Sequence, residues 1–234
     1  MGAELTLQAV VFDFDGLIID SEWLIFETAR TAFAEHGHEL TVEAWSTKIG
    51  TNSASDDGWW ERLCRISGVS GFDQADYETA YLAQPREGRF ELPALPGVTG
   101  LLHELTGAGI PIGVASSSSF DWVDKHLTRL ELRDHFGAVV GSDVVGGVGK
   151  PAPDVYLRAC ADLGVEPSFS VAIEDSAHGA TAAKAAGMAV VAVPSQITRF
   201  NDFSHADLVV ASVADLDLQR LVELAERAGP TPIA

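Results

Sequence analysis

Basic residues are scarce in this sequence, and their scarcity narrows the range of partners. The 234 residues include 15 Lys and Arg against 34 Asp and Glu, which gives a formal net charge of −19. Such an acidic surface repels the phosphates of nucleic acids and of anionic lipids, so we expect neither nucleic acid nor a membrane as a partner. It would also repel a phosphorylated substrate unless a metal ion or a lysine reverses the field locally.

Cysteines and long hydrophobic runs are few as well. Cys64 and Cys160 lie far apart without metal-ligand spacing, so two unpaired thiols are favoured over one disulfide bridge. The first residues include no basic region, and their apolar run is interrupted at Asp13 and Asp15. We therefore expect neither a signal peptide nor a membrane span. These features predict a cytoplasmic protein and leave its oligomeric state open.

Short apolar runs alternate with helical patterns in the second half of the chain. Nearly continuous apolarity is typical of strands covered on both faces, and strand–helix alternation is typical of a parallel sheet. Two helices are predicted at residues 154–163 and 177–186, each followed by a glycine. Six strands are predicted, at residues 7–14, 110–115, 138–141, 170–173, 189–193 and 207–210.

The first third of the chain has a different pattern. Residues 17–93 carry helical signals and no valine-rich strand, and Pro93, Pro96 and Gly97 then mark the return to alternation. The predicted fold is α/β, with a Rossmann-like parallel-sheet core and a small helical cap domain inserted after the first strand. The core comprises residues 1–16 and 94–234, and the cap comprises residues 17–93.

The first chemical motif is a pair of carboxylates at the end of the first strand. Asp13 and Asp15 are two residues apart, so in an extended chain both side chains face the same site. Carboxylates so close raise each other's pKa unless a cation lies between them, and Mg²⁺ is the hard cation that suits a phosphate site. Gly16 permits a turn into the cap. The alternative is a strand that ends in solvated aspartates.

Hydroxyl groups follow the second core strand. Ser116, with the backbone N–H groups that follow it at Ser117 and beyond, forms a potential anion site at a helix start. Ser118 and Asp121 have the spacing of a capping box for that helix. The serine run therefore has a second interpretation, in which it only caps the helix.

One lysine is placed unlike the other three. Lys150 follows a glycine-rich stretch and precedes Pro151, so it is suited to neutralise a phosphate and a nucleophile together. The P-loop pattern fails, because Val144 replaces its first glycine and Pro151 replaces its hydroxyl residue. A lysine on a solvated loop is the alternative.

Adjacent acids end the fourth core strand. Glu174 and Asp175 can supply a metal ligand and a group that orients other ligands. Alternatively, Asp175 or Ser176 simply caps the alanine-rich helix that follows.

The order of these motifs along successive strands resembles the haloacid dehalogenase superfamily of phosphotransferases. The resemblance covers nearly the whole chain, through VVFDFDGLIIDSE, GVASSSS, GKPAPDVY and AIEDSAHGATAAKAAGM. It is greatest to the subgroup with a small helical cap, which includes β-phosphoglucomutases and many sugar-phosphate phosphatases. The resemblance implies that Asp13 attacks phosphorus and that Asp15 acts as general acid and then general base.

The same resemblance implies a set of binding residues and a substrate class. Phosphoryl oxygens would be bound by Ser116, Ser117 and Lys150. Magnesium would be held by Asp13, the backbone carbonyl of Asp15 and Asp175, with Glu174 as ligand or orienting group. The implied activity is hydrolysis of small phosphorylated metabolites, with sugar phosphates as the expected substrates.

Three other functions stay open at this stage. A phosphosugar mutase would carry a histidine where this chain has Ile25, and basic residues where Ile49 and Ser53 lie, with Lys48 one position away. A phosphonatase would use a cap lysine, for which Lys48 is the candidate. A non-catalytic module that binds Mg²⁺ or phosphate is the third. Candidate substrate contacts in the cap are Lys48, Asn52 and Ser53.

Overall fold

Six parallel strands form one sheet in the order β3-β2-β1-β4-β5-β6. The computed structural model describes residues 7–47, 49, 59–83 and 91–228. The strands are β1 Ala9–Phe12, β2 Ile112–Ala115, β3 Ala138–Val140, β4 Ser170–Glu174, β5 Ala189–Ala192 and β6 Leu208–Val209. All six predicted strands are present; five are shorter than the apolar runs that predicted them, and β4 extends one residue further, to Glu174.

Helices cover both faces of this sheet, which explains why the strands are apolar throughout. The helices of the core are α5 Val98–Gly107, α6 Phe120–Arg129, α7 Asp154–Leu163, α8 Ala177–Ala185 and α9 Leu218–Ala228. Side chains alternate along β1, so that Val10 and Phe12 pack in the apolar layer with α5, α6 and α9, whereas Val11 packs in the layer with α7 and α8. The predicted Rossmann-like core is confirmed, and α7 has the predicted bounds.

In the described part of the segment between β1 and α5, four helices form the predicted cap. They are α1 Ser21–Glu35, α2 Val42–Ser46, α3 Trp59–Ser67 and α4 Gln74–Ala83. Phe33 lies in their apolar cluster. The centroid of its ring is 5.8 Å from that of Trp60, 5.3 Å from that of Phe72 and 5.6 Å from that of Tyr77. This aromatic packing gives the cap a core of its own. The division at residues 16 and 94 stays a prediction.

The two chain segments that join cap and core lie side by side. Ile19 forms isolated β-bridges with Asp15 and with Ala94, and the N–H of Leu95 donates to the carbonyl of Ile18 at 2.8 Å. The cap is therefore tied to the core next to the end of β1.

Two further expectations concern thiols and membranes. The thiols of Cys64 and Cys160 are both free, as predicted. Among the described residues, we find no helix with the length and apolar character needed to cross a membrane.

Candidate active site

The predicted chemical groups converge at the carboxyl edge of the three central strands. β1 lies between β2 and β4, and the chain winds outward in one direction through β2 and β3 and in the other through β4 to β6. Ligands of open α/β sheets bind at such a switch point. Asp13 follows β1, Ser116 follows β2, and Glu174 ends β4. The sheet order therefore brings distant parts of the sequence together.

A buried lysine joins two of the carboxylates. The Nζ of Lys150 donates to Oδ1 of Asp13 and, at 2.5 Å, to Oε1 of Glu174. Lys150 is 3% exposed and Glu174 is fully buried. Burial alone would lower the pKa of Lys150, but the charges of Asp13 and Glu174 outweigh burial and raise it. Lys150 is thus a fixed cation within an acidic protein.

Asp13 has an environment unusual for a carboxylate. Burial, followed by the charge of Glu174, raises the pKa of Asp13 to about 8, against the opposing effect of Lys150. The charge of Asp15 raises the pKa of Asp13 as the sequence predicted, but its effect is smaller than those of burial and of Glu174.

Three carboxylates form a cluster that is chemically suited to a cation. Asp13, Glu174 and Asp175 are buried, with one oxygen from each within 4.8 Å of the others. The Oδ2 atom of Asp175 is buried without a hydrogen-bond donor. Burial, then the charges of Asp13 and Glu174, raise the pKa of Asp175 well above its usual value. An oxygen-only set with an unsatisfied carboxylate oxygen fits a hard divalent ion.

Gly16 makes room for this cluster. Its φ is +88°, and a Cβ atom there would lie 2.3 Å from Oδ2 of Asp175. Any side chain at this position would overlap the carboxylate and strain the backbone. The turn that leads the chain into the cap therefore also leaves space for Asp175.

Both oxygens of Glu174 are already engaged by protein donors. Oε1 accepts from Lys150 and, at 2.5 Å, from the hydroxyl of Tyr156, while Oε2 accepts from the N–H and the hydroxyl of Ser176, each at 3.2 Å. Ser176 also caps α8, because its Oγ accepts from the N–H of Gly179. Glu174 is thus placed to orient Lys150, and the predicted capping of the following helix by Ser176 is also found.

Tyr156 belongs to this site as well, although its sequence pattern did not indicate it. Its ring centroid lies 5.0 Å from the Nζ of Lys150, and its side chain is fully buried. The ring supplies a cation–π contact and the hydroxyl fixes Glu174. The segment GKPAPDVY contains this tyrosine, yet an aromatic residue in the first turns of a helix is usually a packing residue, so no distinct signal marked it.

Gly179 is required by the carboxylate of Glu174. A Cβ atom at Gly179 would lie 1.9 Å from Oε1 of Glu174. We expect Gly179→Ala to lower the free energy of unfolding by about 1–3 kcal/mol, because the carboxylate must move from its donors. Gly100 in α5 is the matched control, since a Cβ there meets nothing within 4 Å. Gly100→Ala should raise stability by about 0.5–1 kcal/mol. Urea unfolding distinguishes the two, and equal effects would contradict this account.

The side chain of Asp15 lies outside the cluster of three carboxylates. Its Oδ1 accepts from the hydroxyl of Ser21 at 2.6 Å and from the indole Nε1 of Trp122 at 3.0 Å. Its Oδ2 accepts from the hydroxyl of Ser118 at 2.6 Å, with the hydroxyl of Ser116 at 3.5 Å. Of the predicted metal residues, Asp15 therefore has only its backbone to offer this cluster.

The capping box predicted for α6 is wrong. The N-cap is Ser119, whose Oγ accepts from the N–H of Trp122 at 3.4 Å. Ser118 points to Asp15 instead. Consecutive serines offer equivalent capping chemistry, and the point at which the chain leaves β2 decides which one caps.

Of the other predicted phosphate-binding residues, Ser117 contacts Lys150, whereas Ser116 contacts Ser118 and Asp15. Ser116 is 1% exposed, and its Oγ accepts from the N–H of Ser118 at 3.0 Å. The Oγ of Ser117 accepts from the N–H of Lys150 at 3.4 Å. The loop after β2 and the loop that carries Lys150 are therefore directly joined.

The structure does not describe the cap residues that were predicted to contact substrate. Lys48, Asn52 and Ser53 lie outside the described residues. Ile25 packs at the margin of the apolar cap cluster, and Ile49 is buried in that cluster.

Sequence comparisons agree with this geometry. A profile of the family described as haloacid dehalogenase-like hydrolase matches residues 10–193. YhcW of Bacillus subtilis, a proposed phosphatase, is 37% identical over 93% of this chain and 97% of its own. Hexitol phosphatase B of Escherichia coli K12 is 30% identical over 95% of this chain and 100% of its own.

A solved structure shares the architecture. It is a CbbY variant from Rhodobacter sphaeroides in complex with xylulose-(1,5)bisphosphate, with a TM-score of 0.68 and 28% sequence identity. The similarity covers 92% of this chain and 99% of that one. The family profile, the two relatives and the shared architecture together show that this chain belongs to the haloacid dehalogenase-like hydrolase family.

Proposed function

We propose that this protein is a Mg²⁺-dependent phosphatase of small phosphorylated metabolites, with sugar and polyol phosphates as its substrates. The observation that carries the proposal is the buried contact of Lys150 with Asp13 at the switch point of the sheet. A carboxylate next to a fixed cation and a cluster of acids is what an in-line attack on a phosphate monoester requires. The two phosphatase relatives and the bisphosphate in the CbbY structure support this substrate class.

Attack by Asp13 forms the first intermediate. A carboxylate oxygen of Asp13 bonds to phosphorus while the bond from phosphorus to the alcohol oxygen breaks. Asp15 gives its proton to the departing alcohol, so the product leaves neutral. Lys150 and the loop that contains Ser116 and Ser117 bind the phosphoryl oxygens, where charge is redistributed during transfer.

Water completes the turnover. Asp15, now a carboxylate, takes a proton from water as the water oxygen bonds to phosphorus and the bond to Asp13 breaks. The net reaction converts a monoester and water into an alcohol and inorganic phosphate. When bound, Mg²⁺ would neutralise phosphate charge beside the cluster, with Asp13 and Asp175 as side-chain ligands and the backbone carbonyl of Asp15 as a third. The protein supplies a dry, fixed environment for these groups.

Hydrolysis is favoured over mutase chemistry by the cap. A mutase must retain a bisphosphorylated intermediate while it reorients, which needs cationic contacts from the cap. Ile25, at the position where a mutase would have its histidine, packs in the apolar cap cluster and offers no charge. Water is therefore the proposed final acceptor. The cytoplasmic location expected from the sequence stays a prediction.

The test is phosphate release from a panel of sugar, polyol and glycerol phosphates with Mg²⁺ and with EDTA. We expect metal-dependent release from at least one class. Interconversion of glucose 1-phosphate and glucose 6-phosphate without phosphate release would support the mutase instead. Release that is unaffected by EDTA would contradict the metal-dependent mechanism.

A further inference from the structure

The indole of Trp122 lies against the carboxylate to which we assign acid–base chemistry. Its Nε1 is 3.0 Å from Oδ1 of Asp15, which also accepts from Ser21 at 2.6 Å. The other oxygen, Oδ2, accepts from Ser118 at 2.6 Å. Because each oxygen has a short donor, both the position and the rotation of the carboxylate are fixed.

The indole is itself held in place. The ring of Trp122 packs against that of His126, one turn further along α6, with centroids 4.3 Å apart and planes inclined at 58°. His126 is 1% exposed, and its ring centroid lies 6.1 Å from Phe14, the residue between the two aspartates. The backbone N–H of Trp122 also donates to Oγ of Ser119, the N-cap residue of α6. The buried ring of His126 therefore packs against the indole, and the N-cap hydrogen bond of α6 fixes the backbone of Trp122.

The three donors differ in what they can do during a proton transfer. The hydroxyls of Ser21 and Ser118 can donate or accept, so they can follow the carboxylate as it loses and regains a proton. An indole N–H is a donor only, and its direction is set by the ring. Trp122 is thus the donor whose geometry stays constant through both half-reactions.

We propose that Trp122 is a positioning residue for Asp15, an inference that rests on the proposed phosphatase function. Ser21 begins α1 on the cap side, whereas Ser118 and Trp122 belong to the core. The indole therefore ties the acid–base carboxylate to the core, which also carries Asp13. It fixes Asp15 relative to the oxygen that leaves from phosphorus, independently of the cap.

A double-mutant cycle tests this role. The variants are Trp122→Phe, Asp15→Asn and the double variant, assayed with Mg²⁺ on glucose 6-phosphate and on p-nitrophenyl phosphate. We expect Trp122→Phe to lower kcat for glucose 6-phosphate about tenfold, with KM changed less than about twofold. The burst of p-nitrophenolate should keep its rate, because this leaving group needs no proton. In the Asp15→Asn background, Trp122→Phe should have no further effect.

Two outcomes of the cycle would overturn the proposal. In one, Trp122→Phe lowers kcat in the Asp15→Asn background by the same factor as in the wild type. In the other, it lowers the rate of the p-nitrophenolate burst by the same factor as kcat for glucose 6-phosphate. Either result would show that the indole contributes only packing. Trp23→Phe is the matched control, since Trp23 is half-buried and its ring packs on Phe26 at 5.3 Å. It should leave kcat within about twofold of the wild type.

A spectroscopic measurement tests the contact without turnover. The indole N–H resonance of Trp122 is assigned by its loss in Trp122→Phe. In Asp15→Ala we expect this resonance to shift and its exchange with solvent to accelerate at least about tenfold. An unchanged resonance would refute the contact. A wild-type protein that hydrolyses no monoester would refute the proposed function, whereas an active one without coupling would refute the positioning role alone.

Discussion

Asp13→Asn is expected to lower kcat for phosphate release by about 10⁴-fold or more, the scale seen when a covalent nucleophile is removed. The carboxamide cannot form the acyl phosphate, yet it fills the same space. Stability should be preserved, because the change removes one of three buried carboxylates while Lys150 keeps its contact with Glu174. Steady-state phosphate release with Mg²⁺, together with thermal unfolding of both proteins, measures the two effects.

Asp20→Asn serves as the control for this substitution. Asp20 is the N-cap of α1, where its Oδ1 accepts from the N–H of Trp23 at 3.2 Å. Asparagine caps helices as well as aspartate does, so this variant should keep nearly full activity. Comparable activity of Asp13→Asn and wild type would show that another residue is the nucleophile.

Lys150→Met is expected to destabilise the metal-free protein by about 3–5 kcal/mol, the cost typical of breaking a buried ion pair on one side. The substitution leaves Asp13, Glu174 and Asp175 buried without their cation. Added Mg²⁺ should restore more stability to this variant than to wild type, because the ion then supplies the missing positive charge. Loss of the contact to phosphoryl oxygens should also lower kcat by about 10²–10³-fold.

Lys125→Met removes an equivalent charge from the surface. Lys125 pairs with Asp121 at 2.7 Å, and both side chains are well exposed. Such pairs contribute about 0–1 kcal/mol, so this variant should unfold close to wild type. Urea unfolding with and without Mg²⁺ compares the two lysine variants. If Lys150→Met proves as stable as Lys125→Met without metal, Lys150 does not neutralise the cluster.

The sheet was predictable because its strands are covered on both faces. Val10, Val11 and Phe12 are all fully buried, on alternate sides, so the strand reads as a continuous apolar run. The chemical groups were predictable for a related reason. In a parallel sheet, polar residues that follow successive strands meet at one edge, so strand ends alone indicate a common site.

The contacts between these groups were not predictable from spacing. Trp122 lies 107 residues after Asp15, and Tyr156 lies 18 residues before Glu174. Each is an aromatic residue in the first turns of a helix, a pattern that indicates packing. Asp15 was expected to raise the pKa of Asp13, and its charge does so, but the larger effect of Glu174 was not foreseen. The side chain of Asp15 is held by serine and indole donors from α1, α6 and the loop before α6.

The most direct test of the central claim is the mass of the Asp13 peptide after turnover is stopped with acid. Wild-type protein is mixed with Mg²⁺ and an active monoester, quenched within one turnover and digested. We predict a phosphoryl group on the peptide that carries Asp13, which hydroxylamine removes and which Asp13→Asn lacks. Phosphate release without a phosphorylated Asp13, under conditions where phosphoryl transfer outpaces hydrolysis, would contradict the aspartyl-phosphate mechanism.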